Sequence, residues 1–323
     1  MFRTLTGLTA VLASFPASAD TPRYPDLPAP MSSFGAAVVG DHVYVYGGHT
    51  GKAHNYSTET TLGAFRRLDL KKPDKWEDLP GGPKLQGLAL VAHGGKLYRV
   101  GGMQPQNAKS EKSDTRSLAG CAVYDPAAGK WSDVEPLPES RSSHDAAVVG
   151  DTVCVFGGWR LNGPDGKSEW YAHGWSLDLA SPGAKWRKVD QPFQRRALTM
   201  AVHRDKAYAI GGLNAKGEMV VAVNVFDPKA GTWTESAPLP GEKSNGFTPA
   251  SAVVDGRLYV TPADGKVYQL NEKADAWTEV GAVKEKRFVA RMVAGPEHRL
   301  VVLAGSAVGT PLASLEAIET RGR

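Results

Sequence analysis

The sequence predicts an all-β fold: six four-stranded antiparallel sheets stacked radially as the blades of a β-propeller, the last blade closed by a strand from the N-terminus. Three observations predict it. An apolar strand ending in paired glycines recurs at a nearly constant period, a tryptophan strand follows in phase with it, and an apolar run ended by Asp-Pro separates the two.

The first motif is strand b of each repeat with the glycine doublet that ends it. HVYVYGG (42–48) returns as KLYRVGG (96–102), TVCVFGG (152–158) and KAYAIGG (206–212), and in weaker form as RLYVTPA (257–263) and RLVVLAG (299–305). The first glycine or its replacement stands at 47, 101, 157, 211, 262 and 304, giving spacings of 54, 56, 54, 51 and 42 residues. Aromatic and β-branched residues punctuated by Gly, Pro and Asp read as short strands. In the first repeat strand a is GAAVV (35–39), strand b HVYVY, strand c FRRLDL (65–70), and strand d surrounds Trp76.

The tryptophans stand at 76, 131, 186, 233 and 277, and AVYDPAAGKW (122–131) is nearly duplicated as NVFDPKAGTW (224–233). Four strands at this period cannot bury both faces alone, whereas radial stacking buries them and leaves only short edges. The sixth repeat stops after SLEAIE (314–319) without a tryptophan strand. Aligning YPDLPAPMSSFGAAVVGDHVYVYGG with WEDLPGGPKLQGLALVAHGGKLYRVGG puts Tyr24 at the Trp76 position, so the N-terminal segment is expected to supply strand d of blade 6.

Residues 1–19 read as a secretory signal peptide: Arg3, then LTGLTAVLASF, then Ala17-Ser18-Ala19 before Asp20. The propeller is therefore expected over 20–323, exported to the periplasm or the extracellular space. No later segment approaches the roughly 20 apolar residues a membrane helix needs. Removing the leader changes the formal charge from +4 (38 minus 34) to +3 (37 minus 34). Such near balance, without a dense basic tract, argues against nucleic acid as a partner. Cys121 and Cys154 fall in strands c and b of neighbouring blades, at different radii, and are expected as two buried thiols.

The glycine doublet, the apolar-Asp turn and the downstream tryptophan together resemble the kelch repeat, over about 20 to 319. In such a blade the b–c loops and the d–a connections emerge on one face, where loops carry function. The b–c loops of blades 1 to 3 are long (49–64, 103–118 and 159–173) and those of blades 4 to 6 short. Arg141, Arg195 and, with one extra residue in the a–b turn of blade 6, Arg287 hold matching positions in the d–a connections, and are expected to converge toward the axis. Guanidinium forks placed so would hold a carboxylate or phosphate; an arginine there is also common in kelch repeats as a brace for blade carbonyls.

His49, His54, His144 and His173 fall on or near this face without metal-ligand spacing, so no metal or cofactor is expected. Trp159, Arg160, Trp170 and Tyr171 in the third loop complete the candidate ligand contacts, aromatic rings there being suited to stack on a sugar or anchor a protein. Asn55-Tyr56-Ser57 matches a glycosylation sequon.

No nucleophile elbow, phosphate loop or metal cluster is present, so the expectation is a monomeric binding module for a protein or carbohydrate ligand, anionic ligands included. The kelch resemblance also implies an enzymatic rival, the sialic acid mutarotases of N-acetylneuraminate epimerase type, with Glu169 as candidate base. A second rival, the copper-radical galactose oxidases, needs a tyrosine crosslinked to an axial cysteine, a place neither Cys121 nor Cys154 takes.

Overall fold

The computed structural model describes residues 23–320; the expected leader and its cleavage point before Asp20 lie outside them. Blade 1 is built from Gly35–Val39, His42–Tyr46, Phe65–Asp69 and Glu77–Leu79, each strand antiparallel to the next. Blade 2 repeats this with Ala89–His93, Lys96–Val100, Cys121–Asp125 and Lys130–Val134, and blade 3 with Ser142–Val149, Thr152–Arg160, His173–Asp178 and Arg187–Asp190. Blade 4 comprises Thr199–His203, Lys206–Ile210, Val223–Asp227 and Thr232–Ser236; blade 5 Ala250–Val254, Arg257–Thr261, Lys266–Leu270 and Trp277–Ala282. Strands a to c of blade 6 are Arg291–Gly295, Arg299–Leu303 and Leu315–Glu319. Its a–b turn, 296–298, does carry one residue more than the 40–41 turn of blade 1. Strand a of each blade packs on strand a of the next, and blade 6 packs back on blade 1.

The alternation along strand b explains how both faces of a blade are buried. Val43 and Val45 point into the gap with blade 6, where they meet Val301 and Leu303, while Tyr44 and Tyr46 point into the gap with blade 2 and meet Leu88, Leu97 and Tyr124. One apolar cluster fills each of the six inter-blade gaps. Cys121 belongs to the gap between blades 2 and 3 and Cys154 to that between blades 3 and 4; both are free, and burial pushes the thiols up to about 11 and about 12.

The glycine pairs are required by close approach. Gly47 has φ +69°, and a Cβ on it would stand 2.3 Å from the Leu85 carbonyl oxygen of the next blade. The tryptophans tie the perimeter together. The indole N–H donates to the d-strand region of the preceding blade: Trp131 to the Pro80 carbonyl (2.8 Å), Trp186 to Glu135 (3.0 Å), Trp233 to Asp190 (2.7 Å) and Trp277 to Ala237 (2.9 Å).

Trp76 completes the set by donating to Pro25 at 3.2 Å, so the N-terminal segment occupies the outer edge of blade 6. Leu27 N–H bonds the Ala313 carbonyl (2.9 Å), as Leu137 bonds Ala119 and Leu239 bonds Val221 in blades 2 and 4, and Tyr24, Leu27, Met31 and Phe34 are buried there. The register differs from the ungapped alignment by three residues. Leu137 lies six residues after Trp131, so the tryptophan position ahead of Leu27 falls on Thr21, outside the described residues, and Tyr24 matches Val134. The Leu-Pro at 27–28 corresponds to the Leu-Pro of blades 2 and 4, not to the earlier Leu-Pro of blade 1.

Candidate functional site

At the start of every strand a the chain turns toward the axis through a residue in the left-handed region: Ser33, Gly87, Ser143, Ala197, Thr248 and Val289, with φ between +45° and +58°. These residues link one blade to the next. Gly87 N–H donates to the Ser33 carbonyl (2.7 Å), Ser143 to Gly87 (2.8 Å), Ala197 to Ser143 (2.8 Å) and Thr248 to Ala197 (3.1 Å), while Val289 N–H donates to the Thr248 hydroxyl (3.0 Å). Left-handed geometry is costly for Thr and Val, and the interblade hydrogen bonds oppose that cost.

Directly beneath this ring an ion pair crosses the axis. Arg291 of blade 6 gives Nη1 to Asp145 Oδ2 of blade 3 (2.9 Å), Nε to the Phe34 carbonyl of blade 1 (3.1 Å) and Nη2 to the Leu88 carbonyl of blade 2 (3.2 Å). Asp145 Oδ2 also accepts the Met200 N–H of blade 4 (2.9 Å). One guanidinium and one carboxylate thus join five blades and floor the axial mouth.

The mouth is walled by the residue just before each left-handed one: Ser32, Gln86, Ser142, Arg196, Phe247 and Phe288. Five of these pair across with the residue after the glycine pair or its replacement: Ser32 with His49, Gln86 with Met103, Ser142 with Trp159, Arg196 with Leu213 and Phe288 with Ser306. The wall is two-sided. Phe247 and Phe288 lie together (centroids 5.9 Å apart) on the side with short loops, and Arg196 stands on the other.

Arg196 is the distinctive group. Its guanidinium lies 4.1 Å above the Trp159 ring and 5.6 Å from Trp170, the two indoles themselves meeting edge to face at 5.3 Å. Its Nε has no hydrogen-bond partner, and no carboxylate among the described residues forms an ion pair with it. Burial pushes Arg196 below the ordinary arginine range, against which the Tyr56 phenol acts. Tyr56 belongs to the blade 1 loop, and its phenol acts on Arg196 of blade 4 through charge alone. That loop is steadied by Asn107 of the second loop, whose Nδ2 donates to the Tyr56 carbonyl (3.0 Å), and by the T-shaped contact of Tyr56 with His49 at 4.9 Å. Burial raises the Tyr56 phenol; a His54 backbone hydrogen bond and the Arg196 charge oppose it. Gln86, fully buried, keeps both amide atoms unpartnered, as does the Trp159 indole N–H.

Arg141, Arg195 and Arg287 do not converge on the mouth, because their side chains turn back into their own blades. Arg141 is wholly buried, donating Nη1 to the Gly157 (2.7 Å) and His173 (3.0 Å) carbonyls above the Tyr171 ring, and burial pushes it down to about 10. Arg195 donates to the Ala222 carbonyl (2.9 Å) and to Asn224 Oδ1 (2.5 Å); Arg287 donates to Ala304 (3.1 Å), Ser314 (3.0 Å) and the Glu316 carboxylate. Tyr171 gives its hydroxyl to the Ser140 carbonyl (2.9 Å). His144 is buried with both ring nitrogens unpartnered, and burial, with Arg141 and Arg291 nearby, pushes it down to about 3. His49 Nε2 meets the Lys52 carbonyl (3.0 Å), and burial lowers its pKa. Arg160 pairs with Glu169 at 2.6 Å on the edge of the third loop, His173 pairs with Glu139 at 2.7 Å, and Asn55 is exposed. Of the candidates, Trp159 and Trp170 lie against Arg196, and His49 lies against Tyr56. Alignment of the repeats singles out Arg195 and gives no signal for Arg196 beside it.

A family model for the KLHDC2/KLHL20/DRC7 Kelch-repeats domain matches residues 87–306. The chain belongs to the kelch-repeat family. This kelch propeller is 27% identical to kelch-like protein 35 of Mus musculus over 246 residues, 73% of the chain and 35% of that protein. It is 33% identical to the N-acetylneuraminate epimerase of Haemophilus influenzae (strain PittEE) over 159 residues, 48% of the chain and 38% of that protein. The chain spans about a third of the length of the curated relatives it matches. The solved structure of YjhT superposes with a TM-score of 0.74 over 93% of this chain and 98% of that one at 16% identity, a likeness of fold. No helix among the described residues is long and apolar enough to cross a membrane, and none of their His, Cys, Asp and Glu side chains gather in a group able to hold a metal ion.

Proposed function

We propose that this kelch propeller is an exported binding module that takes an anionic ligand, an acidic sugar in first place, at the axial mouth between the b–c loops of blades 1 to 3. The observation that carries this reading is Arg196: a guanidinium stacked on Trp159, without a described carboxylate partner, beside Tyr56. An arginine held in place by an indole loses little freedom on binding, offers a planar fork to a carboxylate, and leaves ring faces nearby for the apolar face of a sugar. Gln86 and the Trp159 indole N–H add unpartnered polar groups in the same wall, suited to hydroxyl and amide groups.

The similarity to N-acetylneuraminate epimerases favours a second reading, in which the module also speeds anomer exchange of the bound acid. Tyr56, whose phenol and Arg196 influence each other, and His49, which packs on Tyr56, are the groups that could move a proton, with burial working against the charged form of each.

Calorimetric titration of the purified protein with N-acetylneuraminate and with neutral N-acetylmannosamine tests the first reading. The acid is expected to bind and Arg196→Lys to weaken it by about 1 to 3 kcal/mol, since the charge stays while the bidentate fork is lost. Equal affinity for both sugars, or an indifferent R196K, would refute it. NMR exchange spectroscopy of the anomers tests the second: no acceleration over buffer removes the enzymatic reading and leaves the binding one standing.

A further inference from the structure

The face that carries Arg196 is built to two heights. The b–c loops of blades 1 to 3 are laced into one another. Thr58 N–H donates to the Asn107 carbonyl (3.0 Å) between the first and second, and Ser117 N–H to the Leu161 carbonyl (3.0 Å) and Gly163 N–H to the Thr115 carbonyl (3.2 Å) between the second and third. Leu161 N–H returns to the Ser117 hydroxyl (2.9 Å). These bonds make the three loops one collar along half of the mouth. Over blades 4 to 6 the connections are low: a hairpin pairing Leu213 with Met219, a turn at 262–265, and a hairpin pairing Ser306–Ala307 with Thr310–Pro311. A ligand seated on Arg196 meets the collar on one side and open surface on the other.

The open side is aromatic. Phe247 and Phe288, both half-buried and in contact with each other, hold ahead of blades 5 and 6 the wall position that Arg196 holds ahead of blade 4. Backbone bonds fix both. Phe247 ends a single 3-10 turn, Lys243–Gly246, with its N–H on the Ser244 carbonyl (3.0 Å), and Phe288 exchanges N–H to carbonyl bonds with Ser306 (2.9 and 2.8 Å). Among the described residues the exposed large apolar side chains are Met219 (40%) and Val308 (98%), which stand in the blade 4 and blade 6 hairpins on either side of this pair. Asp264, at the blade 5 place matching His49 and Trp159, has its carboxylate taken up by Asn245 Nδ2 (2.9 Å), the Tyr268 hydroxyl (2.8 Å) and the Lys266 N–H (2.9 Å). Exposed charges ahead of the two phenylalanines are mixed in sign, Glu242 with Lys243 and Glu285 with Lys284 and Lys286. Ring faces, not a field of one sign, are what this side offers.

We propose that Phe247 and Phe288 form a second sugar subsite, so that the ligand of the mouth is the acidic residue at the end of a glycan, its carboxylate on Arg196 and the next residue of the chain lying across the two rings. The inference rests on the acidic-sugar reading above and narrows it from a free sugar to a linked one. Rings fixed by their backbone lose little freedom on binding, and the apolar face of a pyranose stacks on them. The collar blocks one direction, so the chain leaves over blades 4 to 6, where the rings lie. A glycosidically linked acid has no free anomeric hydroxyl and cannot exchange anomers, which ties this inference to the binding reading and not to the enzymatic one.

Calorimetric titration of the purified protein with the α-methyl glycoside of N-acetylneuraminate, with 3′-sialyllactose and with lactose tests this. The trisaccharide is expected to bind about 10-fold tighter than the methyl glycoside, and lactose alone far more weakly than either. Phe247→Leu with Phe288→Leu keeps the apolar volume and removes the ring faces. It is expected to bring the trisaccharide down to the affinity of the methyl glycoside and to leave the latter within about 2-fold, with the melting temperature reporting whether the ring has stayed intact. Arg196→Lys is expected to weaken both acids by the same factor. Saturation-transfer NMR on the unaltered protein, which needs no variant, is expected to mark the galactose protons of the trisaccharide along with its N-acetyl methyl. A trisaccharide no tighter than the methyl glycoside, unmarked galactose protons, or an indifferent phenylalanine variant would overturn the glycan subsite while the acidic-sugar reading stood on the response to Arg196→Lys. Failure of both acids to bind, or their indifference to Arg196→Lys, would overturn the two together.

Discussion

Arg195 and Arg196 are consecutive in the chain and serve opposite ends. Arg195 turns into blade 4, where it satisfies the Ala222 carbonyl and Asn224 above the Phe193 ring (4.1 Å). Arg196 turns to the mouth, where it rests on Trp159 with no hydrogen bond from either Nη to a described residue; the Nε is unpartnered in both arginines. A guanidinium whose Nη groups are both held by buried acceptors is a brace, since moving it leaves those acceptors bare. One that lies on an aromatic face with free donors can change partners at little cost. The comparison teaches that in a repeat protein the repeated position tends toward structure, and the residue beside it, varying from Ser to Gln to Arg to Phe around the ring, is where a site is built.

The largest effect expected to sharpen this contrast is on stability. Arg141→Ala should cost about 3 to 5 kcal/mol, because it strands the Gly157 and His173 carbonyls and empties the space above Tyr171. Arg195→Ala should fall in the same range, whereas Arg196→Ala should cost under about 1 kcal/mol. Urea unfolding monitored by tryptophan fluorescence measures all three. If Arg196→Ala proves as damaging as Arg195→Ala, the division into brace and site fails.

Acid provides the next test, again directed at the blade interior. The unfolded chain protonates a histidine near its ordinary value of 6.5, but folded His144 resists until about 3. Between these values the unfolded state binds the extra proton, so this contribution to stability is full above pH 6.5 and is lost as the pH falls below it. The slope approaches about 1.4 kcal/mol per pH unit, giving about 2 to 3 kcal/mol between pH 6.5 and 4.5. Burial lowers His49 and His203 too, which act in the same direction. The difference between wild type and His144→Gln isolates the one residue, and unfolding midpoints that run parallel with pH would contradict the assignment.

The contrast also shows what was legible in the sequence. The fold was, because each blade states itself through contacts that repeat: a glycine where the next backbone passes, an alternating strand b that fills two gaps, a tryptophan whose indole N–H must find a carbonyl. The closure was legible in place and not in register, since Leu-Pro occurs at two offsets from tryptophan in the neighbouring blades and an ungapped alignment selects the wrong one. The column holding Arg196 was available, at a fixed offset before each strand a, but it is recognised only once the left-handed turn is known to point that residue at the axis. Nothing in the chain could have announced Arg291 and Asp145, two residues at variable positions 146 apart that meet only because a ring brings blade 6 opposite blade 3.

The smallest expected effect concerns the second indole. Trp170 lies farther from Arg196 than Trp159 does, at 5.6 Å against 4.1 Å, and it is anchored by a short pairing of Glu169–Trp170 with the end of strand b and by Gln194 Nε2, which donates to its carbonyl (3.3 Å). Its removal leaves the main stacking surface of Arg196 intact, so Trp170→Ala should weaken an acidic ligand by about 0.5 to 1 kcal/mol, the worth of one partly exposed cation–π contact, and shift stability less than that. Trp170→Phe should restore most of the affinity, because a ring face is what the guanidinium and the sugar both use. A loss in W170A as large as that in R196K, unrescued by phenylalanine, would mean that Trp170 contacts the ligand through its indole N–H, and that the third loop rather than the arginine is the principal recognition element of the mouth.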